Sequence, residues 1–236
     1  MAGALVALPD SFRRKELAMP RPDLTDITIV LDRSGSMETV KGATIDAFNQ
    51  FLRSQRAAAG SARISLVQFD NEYEVLYEAE WLDQADELNN DRFVPRGSTA
   101  LLDAMGRTII KTGERLAAMP ESERPGTVLF VTLTDGHENA SRKYDSHRVN
   151  AMITQQRDAY QWQFVFLAAN QDAIATAARM GIGPKQALSF EASAEGVCES
   201  FVAVDRRVSE LRRRRAAGDS DSRVEFDDTD RDQARR

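Results

Sequence analysis

The stretch DITIVLD (Asp26–Asp32) runs straight into RSGSM (Arg33–Met37). An apolar run of strand length, closed by polar residues, reads as a strand buried on both faces. Beyond it, Ala43, Ala47, Phe48, Phe51 and Leu52 recur on one helical face. A buried strand that feeds through a short polar loop into an amphipathic helix opens a β-α-β unit, so a parallel sheet is expected.

Working outward, RISLVQFD (Arg63–Asp70) and EYEVLYE (Glu72–Glu78) both alternate in polarity, with Asp70-Asn71 as turn chemistry between them. They predict a hairpin, hence one antiparallel pair. A polar stretch, Asp83–Arg96, leads to a helix from Ala100 to about Met119, which ends before Pro120. TVLFVTLT (Thr127–Thr134) is the most hydrophobic strand and belongs at the sheet centre. Val149, Met152, Ile153 and Gln156 mark a helix, FVFLAA (Phe164–Ala169) a strand, and Ile174, Ala177 and Ala178 a short helix stopped by Gly181. ALSF (Ala187–Phe190) is a last strand, and Val197, Phe201, Val204, Val208 and Leu211 lie on one face of a final helix. The expected fold is α/β and doubly wound (Rossmann-like): a mostly parallel six-stranded sheet with one antiparallel edge strand and helices on both faces.

Composition bounds the rest. The chain has 236 residues and a net charge of −6, with 42% hydrophobic and 29% charged residues, which suits one globular domain with a tail. The expected division is a lead-in over 1–24, one domain over 25–215 and a disordered charged tail over 216–236. That tail holds seven acidic and four basic residues but only Val224 and Phe226 as large apolar ones. No apolar run approaches the ~18 residues of a membrane span. The opening MAGALVALPDSFRRKEL places its basic residues after the apolar ones, the wrong order for a signal peptide. A single cysteine, Cys198, excludes an internal disulfide framework. The expected setting is the cytoplasm. Net acidity argues against general nucleic-acid binding; the run Arg212–Arg215 reads as a solvated helix end, with a docking patch over Arg206–Arg215 as the lesser reading.

In open α/β sheets ligands sit at the carboxyl ends of strands, where the strand order reverses. Three loops qualify: Asp32-Arg33-Ser34-Gly35-Ser36 after the first strand, Gly97-Ser98-Thr99 before a helix, and Asp135-Gly136-His137-Glu138-Asn139 after the central strand. If they meet, their convergent groups are the hydroxyls of Ser34, Ser36 and Thr99 and the carboxylates of Asp32 and Asp135. An all-oxygen set suits a hard cation, Mg²⁺, Mn²⁺ or Ca²⁺. Singly, each motif has an ordinary explanation, a helix cap or a turn; their coincidence in order carries the weight. His137 and Glu138 beside Asp135 make a zinc site conceivable, but no further ligand loop supports it.

On these residues the chain resembles the von Willebrand factor A domain from about Asp26 to Leu211. Its loops resemble that family's metal-ion-dependent adhesion site, whose pattern is Asp-x-Ser-x-Ser, a distant Thr and a distant Asp. The resemblance implies that Ser34, Ser36 and Thr99 ligate a divalent cation directly, that Asp32 and Asp135 hold coordinated water or ligate in some states, and that a partner's carboxylate completes the shell. Arg33 fills a position that the family leaves variable, and is expected to point outward. The implied function is non-catalytic: a metal-dependent protein-binding module that grips an Asp or Glu of a partner, such as an AAA+ ATPase of the MoxR type. The alternative is a metal-assisted phosphatase or hydrolase with Asp32 as nucleophile. Against it, the haloacid-dehalogenase pattern wants a second Asp where Ser34 stands, and the chain has neither a G-x-S-x-G elbow nor a phosphate-binding P-loop. The acidic tail is expected either to solubilise the chain beside Arg212–Arg215 or to compete, as a tethered carboxylate donor, for the metal site.

Overall fold

A computed structural model describes residues 20–169 and 173–235. Six strands, β1 (Arg21–Asp32), β2 (Ser61–Phe69), β3 (Tyr73–Trp81), β4 (Pro125–Thr134), β5 (Gln163–Ala169) and β6 (Ala187–Phe190), form one sheet in the order β3-β2-β1-β4-β5-β6. All neighbours are parallel except β2 and β3. β1 lies at the centre because it is buried from Leu24 to Asp32, on both faces. Ile27 sits level with Ile64 of β2 on one side and Leu129 of β4 on the other. The expected sheet is therefore the observed one, hairpin included.

One face is covered by α1 (Lys41–Ala57) and, from the chain's last third, α5 (Ala194–Ala216), with α2 (Leu101–Ala118), α3 (Ser146–Tyr160) and α4 (Ala173–Arg179) on the other. Phe51 of α1 and Phe201 of α5 meet at 6.3 Å between ring centroids. On the opposite face Phe130 stacks on Trp162 at 5.5 Å and on Phe164 at 5.1 Å. The chain leaves β1 toward β2 through α1 but returns to the other side of β1 through α2 and β4. The crevice at the carboxyl ends of β1 and β4 is thus the point where strand order reverses.

Two boundaries differ from the sequence expectation. β1 begins at Arg21, inside the expected lead-in; residues 1–19 lie outside the described residues. Gly126 explains the close approach: a Cβ there would stand 2.7 Å from the Arg21 carbonyl oxygen, so only glycine lets this edge of β4 accept the incoming strand.

The larger correction concerns 216–236, expected to be disordered. Residues up to 235 are described, and they pack. Val224 and Phe226 are buried in the core beneath α5, and a short helix, α6 (Asp228–Ala234), lies against α5 and β6. Asp227 and Asp230 form a reciprocal capping box at its start. The Asp230 carboxylate is fully buried and is bound by the guanidinium groups of Arg206 and Arg207. The segment also holds both ends of β6: the Phe226 N–H donates to the Lys185 carbonyl (2.8 Å), Arg231 to the Ala187 carbonyl (2.9 Å), and the Glu191 N–H to the Ala234 carbonyl (2.9 Å). A segment too polar to fold alone is ordered here by two apolar anchors and one desolvated carboxylate matched to two arginines.

The run Arg212–Arg215 is likewise not a free patch. Arg212 is buried and donates to the Gln55 and Gly60 carbonyls at 2.6 and 2.9 Å, closing the end of α1, and burial lowers its pKa to about 10. Arg213 pairs with Glu210, Arg214 with Asp219, and Arg215 donates to the Ser222 carbonyl. Arg212 is thus taken into the fold, while Arg213 and Arg214 stay exposed beside their acidic partners.

Candidate functional site

The three loops singled out in the sequence meet at the carboxyl ends of β1 and β4. Backbone hydrogen bonds sew the first two together: the Gly35 N–H donates to the Gly97 carbonyl (3.2 Å) and the Arg96 N–H to the Arg33 carbonyl (2.8 Å). The third is sewn to the second, because the Asn139 and Ala140 N–H groups both donate to the Thr99 carbonyl, at 3.0 and 3.1 Å. Rigid backbone therefore fixes the hydroxyls relative to one another.

All five expected residues are brought together. The Ser34 and Ser36 hydroxyls lie 3.2 Å apart, and Ser36 donates to Asp135 at 2.6 Å. A Cβ placed on Gly136 would stand 2.5 Å from the Thr99 hydroxyl, 3.4 Å from that of Ser34 and 3.5 Å from that of Ser36. Three hydroxyls from two loops thus surround one small space, which the third loop leaves open by carrying glycine. Asp32 is fully buried just behind; one of its oxygens accepts from the Ser34 N–H (2.6 Å), the other from the Thr134 hydroxyl.

This oxygen-only cradle fits a small hard cation. Among the described residues no three His, Cys, Asp or Glu side chains cluster in a way that could hold a metal ion, so any ion here would depend on the hydroxyls. Glu138, entertained as a zinc ligand, is engaged elsewhere. Its carboxylate accepts from the Leu102 N–H (2.9 Å) in the first turn of α2, and from Ser141 through both its N–H and its hydroxyl, each at 2.8 Å. It serves as a cap supplied from a distant loop.

Burial pushes the Asp32 carboxyl up to about 6, against partial relief from its Thr134 and Ser34 hydrogen bonds. Asp135 is raised as well, chiefly by burial. An ordinary carboxylate titrates near ~4. Between that value and about 6, folded Asp32 keeps a proton that the unfolded chain has released. Folding stability therefore falls as pH rises through this window, and above it the ionised buried group is a standing cost. A cation that favours the ionised form relieves the cost. Added Mg²⁺ should accordingly raise the melting temperature more at pH 7.5 than at pH 5; equal shifts at the two pH values in thermal melts would contradict this.

Arg33 departs from expectation. It points away from the hydroxyls but into the protein, not into solvent. Its guanidinium reaches Asp70 (3.2 Å) and Glu74 on the hairpin and is buried. Asp70, also buried, receives Arg96 at 2.9 Å, so one carboxylate grips the residues that lead into two of the three loops. Sequence reasoning missed this support and three further groups: Thr134 on Asp32, Asn139 on the Thr99 N–H (2.9 Å), and the open cradle of Gly136. The TDG and HEN triplets around Asp135 carried them in plain view, but their roles depend on partners more than 30 residues away.

Fold and rim define a doubly wound α/β domain with an oxygen-lined crest at its switch point. The chain belongs to the von Willebrand factor type A domain family, whose model matches residues 26–203. No curated protein matches it. Solved structures of similar fold include the pilus adhesin SpaC from Lactobacillus rhamnosus GG in its open conformation, with a TM-score of 0.57 and 14% identity over 83% of this chain and 30% of that one. Proximal thread matrix protein 1 from the mussel byssus follows with 0.54 and 13%, over 79% and 46%. The von Willebrand factor domain of the type V pili tip protein Mfa5 from Porphyromonas gingivalis gives 0.52 and 12%, over 82% and 96%. The chain spans less than half of the adhesin and the byssus protein. At these identities the likeness establishes the fold alone.

Proposed function

We propose that this domain is a metal-dependent protein-interaction module. The observation that carries the reading is the convergence of the Ser34, Ser36 and Thr99 hydroxyls around the space left by Gly136. Those hydroxyls would ligate a Mg²⁺ (or Mn²⁺ or Ca²⁺) ion, with Asp32 and Asp135 ligating or holding its water. Bound there, the ion would supply an electrophilic site for a carboxylate oxygen. Neutral hydroxyls leave much of a dication's charge uncancelled, so an Asp or Glu of a partner protein is the preferred remaining donor. Thr134 and the Ser34 N–H hold the Asp32 oxygens in place, and Asn139 holds Thr99. An AAA+ ATPase of the MoxR type is the partner class that the family resemblance suggests, and the cytoplasm the setting that cysteine usage suggests. Among the described residues no helix is long and apolar enough to cross a membrane.

The hydrolase alternative finds less support. A nucleophilic Asp32 must present an oxygen to substrate, yet this side chain is buried with both oxygens already accepting hydrogen bonds.

Calorimetric titration with Mg²⁺ and Mn²⁺ tests the proposal. One ion per chain is expected, with Thr99→Ala weakening it by at least about tenfold, since loss of even an outer-shell partner of a metal ligand costs about that much. A wild-type protein that binds neither ion would overturn it.

A further inference from the structure

A cleft of about 600 Å³ opens beside the hydroxyl site, lined among others by Ala100, Tyr73, Arg107, Lys143 and Tyr144. Ala100 follows Thr99 directly, so the cleft starts where the cradle ends. Its lining carries two cations, Arg107 and Lys143, and two acids, Glu72 and Asp103, and three more cations, Lys111, Arg142 and Arg148, stand close by. Arg107, Arg142, Lys143 and Arg148 are exposed and Lys111 is half-exposed, in a chain of net charge −6. Among the described residues none of these five cations has an ion-pair partner, whereas sixteen ion pairs join other residues.

Acidic groups nearby are already engaged. Asp103 accepts the Arg142, Lys143 and Tyr144 N–H groups at 2.8–2.9 Å, Glu72 pairs with Arg96, and Glu138 caps α2. The cations are also positioned: the Arg107 guanidinium lies 4.2 Å from the Tyr73 ring centre and that of Arg148 4.7 Å from Tyr144. Stacking on a ring orients a guanidinium and leaves its N–H edge free for a carboxylate.

We infer that the partner is an acidic extended segment with at least two carboxylates, one taken at the hydroxyl site and the next by Arg107 and Lys143. The inference rests on the proposed metal-dependent reading for the first carboxylate only. Charge complementarity carries the second: the cleft supplies unpaired cations within one surface of the rim, and an acidic segment supplies carboxylates at residue spacing.

The test uses the full chain and a fluorescent twelve-residue oligo-glutamate, with oligo-glutamine and a single-stranded oligonucleotide as comparison probes, each in Mg²⁺ and in EDTA. Wild type should bind oligo-glutamate over both comparison probes. Arg107→Gln with Lys143→Gln, both on the surface, should weaken that binding about tenfold, as expected for two solvent-facing charge contacts, while calorimetric Mg²⁺ binding stays unchanged. If Ser34→Ala with Ser36→Ala leaves binding at the wild-type level and still dependent on Arg107 and Lys143, the cleft stands and the metal reading fails; weaker binding that still depends on those two residues supports both. Absence of oligo-glutamate binding by wild type, unaltered binding by the Arg107/Lys143 variant, or preference for the oligonucleotide through the same two residues would each overturn the inference.

Discussion

Gly136→Ala should abolish divalent-ion binding while the protein stays folded. The backbone of Gly136 does not lie in the left-handed region, so alanine meets no conformational strain. Its methyl would, however, stand 2.5 Å from the Thr99 hydroxyl oxygen. A threonine relieves that contact by turning about its Cα–Cβ bond. The rotation costs little stability, on the order of 1 kcal/mol, but would remove one proposed ligand while the methyl fills the space proposed for the ion. Ser34→Ala with Ser36→Ala should give the same loss by the opposite route, removing oxygens and adding nothing. Calorimetry should show no measurable Mg²⁺ or Mn²⁺ binding by either variant, beside melting temperatures close to that of the metal-free wild type. Retention of wild-type affinity by Gly136→Ala would move the ion's position away from the three hydroxyls.

A chain ending at Ala216 should lose about 10 °C in melting temperature. Val224 and Phe226 are 1% and 4% exposed; each such side chain contributes roughly 1.5–3 kcal/mol by burial. Removing Asp230 also strips Arg207 of its partner in a half-buried position. A loss of about 3 kcal/mol or more shifts the midpoint of a chain this size by some ~2–4 °C per kcal/mol. Metal affinity should stay unchanged, since the segment lies against β6 and α5 while the hydroxyls lie between β1 and β4. A tethered competitor would instead raise partner affinity when removed. An unaltered melting temperature would mean that the segment contributes nothing to the fold.

The convergence of the three loops was legible in the sequence because each motif is local. Asp32, Ser34 and Ser36 fall within one turn after a strand whose apolar run cannot be mistaken, and Thr99 and Asp135 each stand at the end of an equally clear element. The hairpin was legible for the same reason, through alternation on either side of Asp70-Asn71. What escaped depends on contacts distant in sequence. Arg33 was read as pointing outward because nothing in its neighbourhood announces Asp70, 37 residues away. The C-terminal segment was read as disordered because only two of its residues are large and apolar; its order comes from the burial of those two in the core and from hydrogen bonds to Gln163, Lys185 and Gln186. The four arginines at the end of α5 look interchangeable in sequence, yet one is buried and three are not.

The C-terminal segment also bears on how the protein is made. Translation completes β6, the outermost strand on its side of the sheet, about forty residues before Ala234 is added. At ~5–20 residues per second, a nascent chain carries that strand for about 2–9 s before α6 can reach it. An uncovered edge strand is a template for another chain's backbone. For this protein, therefore, the interval of exposure to misassembly is set by the ribosome's pace over residues 191–234, and a pause there lengthens it, until the segment bonds the backbone of Lys185, Ala187 and Glu191 at that edge.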